Sequence, residues 1–190
     1  MAGYQLTASA MPDSQPHPFE SLSPDLLIDA VESLGFVSDG RFLALNSYEN
    51  RVYQIGIEDD EPMIAKFYRP ERWSREQILE EHEFCYELVE QELPVVAPWR
   101  GCEGDSLHSF GDFSFALYQR RGGRAPELDN LDNLFTLGRL MGRIHGIGAT
   151  RPFKHRPHLD SQGFGWDSYR LISEKFIPDE LRSAYDSLAL

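Results

Sequence analysis

Lys66 stands in the run Met63-Ile64-Ala65-Lys66-Phe67-Tyr68, whose other members are apolar or aromatic. An ammonium group in such a strand-like run must either point off an exposed face or meet an anion. The segment after it decides between the two. At about 100° per residue, Glu80, Glu83, Glu87 and Glu90 gather on one side of a helix expected from about Ser74 to Glu92. Glu81 falls in the opposite arc, one turn from Ile78 and Cys85 and two turns from Leu88. A carboxylate in an apolar stripe is expensive unless it is paired, and the strand lysine is the nearest partner on offer. The plainer alternative leaves Lys66 exposed and Glu81 wetted at the stripe edge. Strand order, spacing and the inward glutamate favour a buried pair, an arrangement suited to gripping a polyphosphate.

The elements that must position this pair follow from the pattern of the chain. Residues 1–20 are polar and proline-rich, and are expected to form a disordered leader. Ser23-Pro24-Asp25 opens a short helix with Leu26, Leu27, Ala30, Val31 and Leu34 as its stripe, closed by Gly35. Strand-like runs at Arg41–Asn46, Arg51–Ile57 and Met63–Tyr68 are separated by polar turns and predict an antiparallel meander. After the long helix, Leu93–Pro98 is an extended connector. Two more strands are expected near Ser106–Phe110 and Phe113–Gln119. A second helix is expected from about Asp129 to Ile147, where Gly138 and Gly142 would let another helix approach closely. The tail from Thr150 predicts irregular structure and one amphipathic helix from Pro178 onward.

Composition bounds the function classes. The chain has 190 residues, 41% of them hydrophobic, enough for a good core. A formal net charge of −13 argues against nucleic-acid and anionic-membrane partners. Two cysteines in such a length suggest a reduced, cytoplasmic setting. The N-terminal residues lack the basic start and apolar run of a signal peptide, and no apolar run approaches the ~18 residues of a membrane span.

Here a family resemblance enters. Leu45-Asn46-Ser47-Tyr48-Glu49-Asn50-Arg51-Val52-Tyr53-Gln54 and Lys66-Phe67-Tyr68-Arg69-Pro70-Glu71-Arg72-Trp73 resemble the signature blocks of the stress response kinase A family. Those bacterial serine/threonine protein kinases are built like aminoglycoside phosphotransferases and choline kinases. Gln77–His82, Val95–Pro98, Gly138–His145 and His155–Pro157 resemble the family's later blocks in the same order.

The resemblance implies an α+β fold. A protein-kinase-like N-lobe of five antiparallel strands and one long helix would occupy residues 21–121. Residues 122–190 would be the helical start of a C-lobe. It also implies ATP and Mg2+ as cofactors, a protein serine or threonine as acceptor, and a monomer at full length. Ser47 would contact ATP in the phosphate loop, Lys66 would bind phosphate and Glu81 would be its partner. Leu117-Tyr118-Gln119-Arg120 would be the hinge that receives adenine, with Tyr118 and Gln119 at its centre.

The family's H-G-D-x-H-x-G-N catalytic loop and D-x-D metal motif do not occur in the 190 residues. No catalytic residue and no metal ligand is therefore assigned, and the magnesium ligands are expected downstream. The chain alone is expected to be inactive. His155-Arg156-Pro157 and Asp112-Phe113-Ser114 imitate kinase motifs but have the wrong residues or the wrong place. The turn Asn46–Arg51 has no glycine, so a backbone grip on phosphate would rest on polar side chains and N–H groups. Among the histidines His17, His82, His108, His145, His155 and His158 there is no zinc-type spacing. His145 is expected to be a hydrogen-bonded core residue. Two other functions stay open: a kinase for a small alcohol such as choline, homoserine or an aminoglycoside, and a non-catalytic nucleotide-binding fragment with an exposed apolar face.

Overall fold

The computed structural model describes residues 17–189. The first sixteen residues of the expected leader lie outside the described residues. Residues 18–21 form a turn, and Phe19 is buried in the core, so the end of the leader is packed and not loose. Its ring stacks on Phe113 at 6.0 Å and receives the Arg51 guanidinium at 4.7 Å.

Helix α1 spans Pro24–Glu32, with Ser23 Oγ accepting the Leu26 N–H at 3.2 Å and proline in the first turn. Strands β1 (Ser38–Leu45), β2 (Arg51–Ile57) and β3 (Met63–Phe67) form the expected meander. β1 starts three residues before the expected Arg41, because its pairing with β2 continues past an irregularity between Ser38 and Phe42. Gly40, at φ +78°, supplies the backbone twist there. Helix α2 (Arg75–Glu90) opens on a reciprocal cap between Ser74 and Gln77. β4 (His108–Phe110) and β5 (Phe113–Gln119) make a hairpin across Gly111-Asp112, so the Asp112-Phe113-Ser114 triplet is a turn leading into a strand.

The sheet order is β1-β2-β3-β5-β4, all antiparallel. Alternation along β3 divides the core between the two faces. Met63, Ala65 and Phe67 face α1 and join Leu27, Ala30, Val31, Ile55, Phe113, Phe115 and Leu117 in one apolar cluster. Tyr68, Ala116 and Leu107 join Ile78 of α2 on the other face. The connector after α2 runs beside β5, with the Trp99 N–H donating to the Leu117 carbonyl at 2.7 Å.

Helix α3 (Leu131–Gly148) is capped by Asn130 and has no buried residue. Leu131, Phe135 and Met141 remain 78%, 68% and 51% exposed, and Gly138 and Gly142 have open space around them. His145 is exposed as well, which corrects the expected core histidine: no residue of α3 is buried. The chain divides into a compact unit up to Pro152, which contains α3, and a second from Phe153 onward.

In the second unit a π-helical turn at Ser161–Asp167 leads into α4 (Ser168–Lys175), followed by α5 (Asp179–Ala189). The expected helix from Pro178 is α5. α4 is an addition, in a stretch expected to be irregular. Tyr169 stacks on Tyr185 at 5.7 Å and donates to Asp186 at 2.7 Å, joining α4 to α5. Among the described residues no helix is long and apolar enough to cross a membrane.

Candidate functional site

The ion pair forms. Lys66 Nζ donates to Glu81 Oε1 at 3.0 Å. The side chains keep 22% and 31% exposure, so the pair sits at a rim and not in the core, as the spacing alone had suggested. Dehydrating two opposite charges together carries a penalty of about several kcal/mol per ion, and a rim position avoids most of it. Such a partly wetted pair adds at most about 1 kcal/mol to stability, so its geometry matters more than its strength.

The register shows what surrounds the pair. Leu45, Val52, Lys66 and Ala116 are successive partners across four strands. Leu43, Gln54, Ile64 and Tyr118 form the next row on the same face. Directly opposite residues share a face, so these rows lie on the α2 side of the sheet. Leu43 is exposed, and Leu45, Val52 and Ile64 are half-buried, which leaves an apolar strip beside the ammonium group. The Asn46–Asn50 turn, with Ser47 half-buried, joins Leu45 to Arg51 and so rises from the row that holds Lys66.

That turn is tied down from one side. Glu49 pairs with Arg72 at 2.5 Å, and the Asn50 side-chain oxygen accepts the Arg69 N–H at 3.2 Å. Gln119 pairs with Met63, so its side chain belongs to the α1 face, where its amide oxygen accepts from Arg121 at 2.7 Å. It lines a recess of about 320 Å3 with Phe36, Trp99 and Arg120. The Gln119 side chain therefore does not face the α2 side.

Sequence reasoning missed a line of polar groups behind the pair. Tyr68 lies two residues beyond Lys66, with the ammonium 4.6 Å from its ring centre. Its hydroxyl is 2.7 Å from His82 Nε2 and 3.3 Å from the Tyr118 hydroxyl. His82 Nδ1 is 2.8 Å from Ser106 Oγ. Burial pushes the Tyr68 and Tyr118 hydroxyls well above the ordinary tyrosine range. The helical wheel held the signal for His82, which lies one turn from Ile78 in the same inward arc as Glu81. Nothing in the sequence announced Tyr68 and Ser106 as its partners, which come from two other segments.

The residues present fit a nucleotide: a half-exposed ammonium with a fixed carboxylate, an apolar strip for a flat base, and a polar turn overhead. They do not offer a magnesium cage. Among the described residues there is no cluster of three or more His, Cys, Asp or Glu able to hold a metal ion.

The family model described as the phosphotransferase enzyme family matches residues 41–177, and the chain belongs to that family. Within it, the chain is 41% identical over 168 residues to stress response kinase A of Escherichia coli K12. It is 39% identical over the same length to the serine/threonine protein kinase RdoA of Salmonella typhimurium. Each match covers 88% of this chain and 51% of the relative, so the chain spans about half the length of the curated relatives it matches. Among solved structures, an amicoumacin kinase in complex with AMP-PNP, Ca2+ and Ami superposes with a TM-score of 0.63 at 20% identity. That match covers 83% of this chain and 51% of that one. A microcompartment-associated aminopropanol kinase gives 0.59 at 19% identity, over 77% and 48% of the two chains. These likenesses bear out the α+β fold of five antiparallel strands with helices.

Proposed function

We propose that this chain is the nucleotide-grasping half of an ATP-dependent serine/threonine protein kinase. The observation that carries the reading is the 3.0 Å contact between Lys66 and Glu81 below the Asn46–Asn50 turn. An ammonium held by a carboxylate on the following helix meets the phosphates of ATP at a fixed position, which is what phosphoryl transfer requires. In this reading residues 21–121 form the nucleotide lobe and residues 122–190 begin the second. Ser47 and the N–H groups of its turn bind phosphate oxygens. Backbone groups at Tyr118 and Gln119 receive adenine. The family's catalytic aspartate and magnesium ligands would come from residues beyond 190, so the chain by itself transfers no phosphate.

The 39% identity to the serine/threonine protein kinase RdoA supports a protein acceptor over a small alcohol. The test uses a protein that joins this chain to the family's H-G-D and D-x-D segments, with labelled phosphate followed from ATP. The expected result is label on serine or threonine of a generic protein and none on choline, homoserine or an aminoglycoside. Label on a small alcohol alone would move the acceptor to that class.

A further inference from the structure

Tyr68 is nearly fully buried, at 3% exposure, and His82 is completely so. Together with Ser106 and Tyr118 they form a continuous polar line through an otherwise apolar layer. A buried polar line is retained only where each member is satisfied, and an apolar replacement of similar shape would often serve packing as well or better. Its placement gives it a different use.

Lys66 and Tyr68 are two residues apart on one face of a strand, and Glu81 and His82 are adjacent on the facing helix. Each member of the ion pair therefore has a neighbour in the buried line. The two rungs, Lys66–Glu81 at 3.0 Å and Tyr68–His82 at 2.7 Å, cross the same gap between sheet and helix. The Tyr68 ring is held at its hydroxyl by His82 and Tyr118, and its face lies 4.6 Å from the ammonium. A lysine side chain has four rotatable bonds and no shape of its own, so an aromatic face and a carboxylate on two sides restrict where its charge can be.

We propose that Tyr68 is a positioning residue for the nucleotide site: its hydroxyl, anchored on His82 and Tyr118, fixes the ring that sets the Lys66 ammonium against Glu81. This rests on the nucleotide reading above and adds a residue to it. Tyr118 extends the line into the expected hinge, so the two ends of a bound nucleotide are referred to one framework. A purely structural Tyr68 would share the contacts but would not act through Lys66.

The experiment is a double-mutant cycle on the 190-residue chain, with Mg-ATP and adenosine affinities measured by calorimetric or fluorescence titration. Tyr68→Phe keeps the ring and removes only its anchor. It is expected to weaken Mg-ATP about fivefold while adenosine changes less than about twofold, and to have no further effect in a Lys66→Met background. Equal loss for ATP and adenosine, no loss, or an undiminished loss in the Lys66→Met background would each overturn the positioning role and leave the nucleotide reading standing. A parent chain that binds no Mg-ATP, or a Lys66→Met variant that binds it equally well, would overturn the nucleotide reading and the positioning role with it. Should Tyr68→Phe fail to fold by circular dichroism, Tyr118→Phe decides. Its expected loss of ATP affinity vanishes in the Lys66→Met background, and a loss that persists there refutes the role.

Discussion

The two faces of the sheet are built from the same strands and differ in kind. On the α1 side, Ala65, Phe67, Phe115 and Leu117 are fully buried among apolar neighbours, with Phe67 stacked on Phe115 at 5.2 Å. On the α2 side the same strands present Lys66, Tyr68 and Tyr118 to Glu81 and His82. The α1 face gains its stability from area removed from water, whereas the α2 face combines a smaller apolar cluster with satisfied polar contacts that add little net stability. A protein that needed only to fold would gain by making both faces alike. The proposed nucleotide site would account for that asymmetry by placing binding on the α2 side.

Substitutions on the two faces should therefore separate stability from affinity. The largest expected effect is on the apolar face: Phe115→Ala should lower unfolding free energy by about 3–5 kcal/mol in denaturant titration. A loss below about 1 kcal/mol would mean that this face is not the main core. On the polar face, Ser106→Ala removes the hydroxyl 2.8 Å from Nδ1 of the fully buried His82. Its expected cost is about 1–3 kcal/mol in the same titration, and no change would show that the polar line is dispensable to the fold.

The tyrosines sharpen the contrast through pH. Tyr68 and Tyr118 have folded-state pKa values raised by burial, so their protonated forms favour the native state. The stability they lend is complete below about pH 10, the value for unfolded tyrosine, and is lost as pH rises toward the higher folded values. In an alkaline titration followed by tyrosinate absorbance, these two of the eight tyrosines should ionise only as the chain unfolds. The smallest effect belongs to the turn: Arg72→Ala, which releases Glu49, should change stability by less than about 1 kcal/mol in thermal melts.

Much of this was legible in the sequence, for reasons that differ by element. The strands showed through β-rich runs between polar turns, and the Lys66–Glu81 pair showed because helical periodicity placed Glu81 on the side away from Glu80, Glu83, Glu87 and Glu90. The pair's rim position was not legible, since desolvation depends on what packs around a stripe and not on the stripe itself. His145 failed for the same reason: an apolar helix face predicts burial only if something covers it. The Tyr68–His82–Ser106 line needed contacts between residues 14 and 24 positions apart, which no local pattern encodes. The Ser161–Asp167 turn stayed hidden because its two glycines and its wide helical spacing match neither the α nor the β period.

The most direct test of the nucleotide site is a calorimetric titration of Mg-ATP into the parent chain and into Lys66→Met, with thermal melts of both. Measurable binding by the parent and at least about a tenfold loss in the variant, at nearly equal melting temperature, is the expected result. Equal affinities in the two proteins would contradict it and detach the Lys66–Glu81 pair from nucleotide binding.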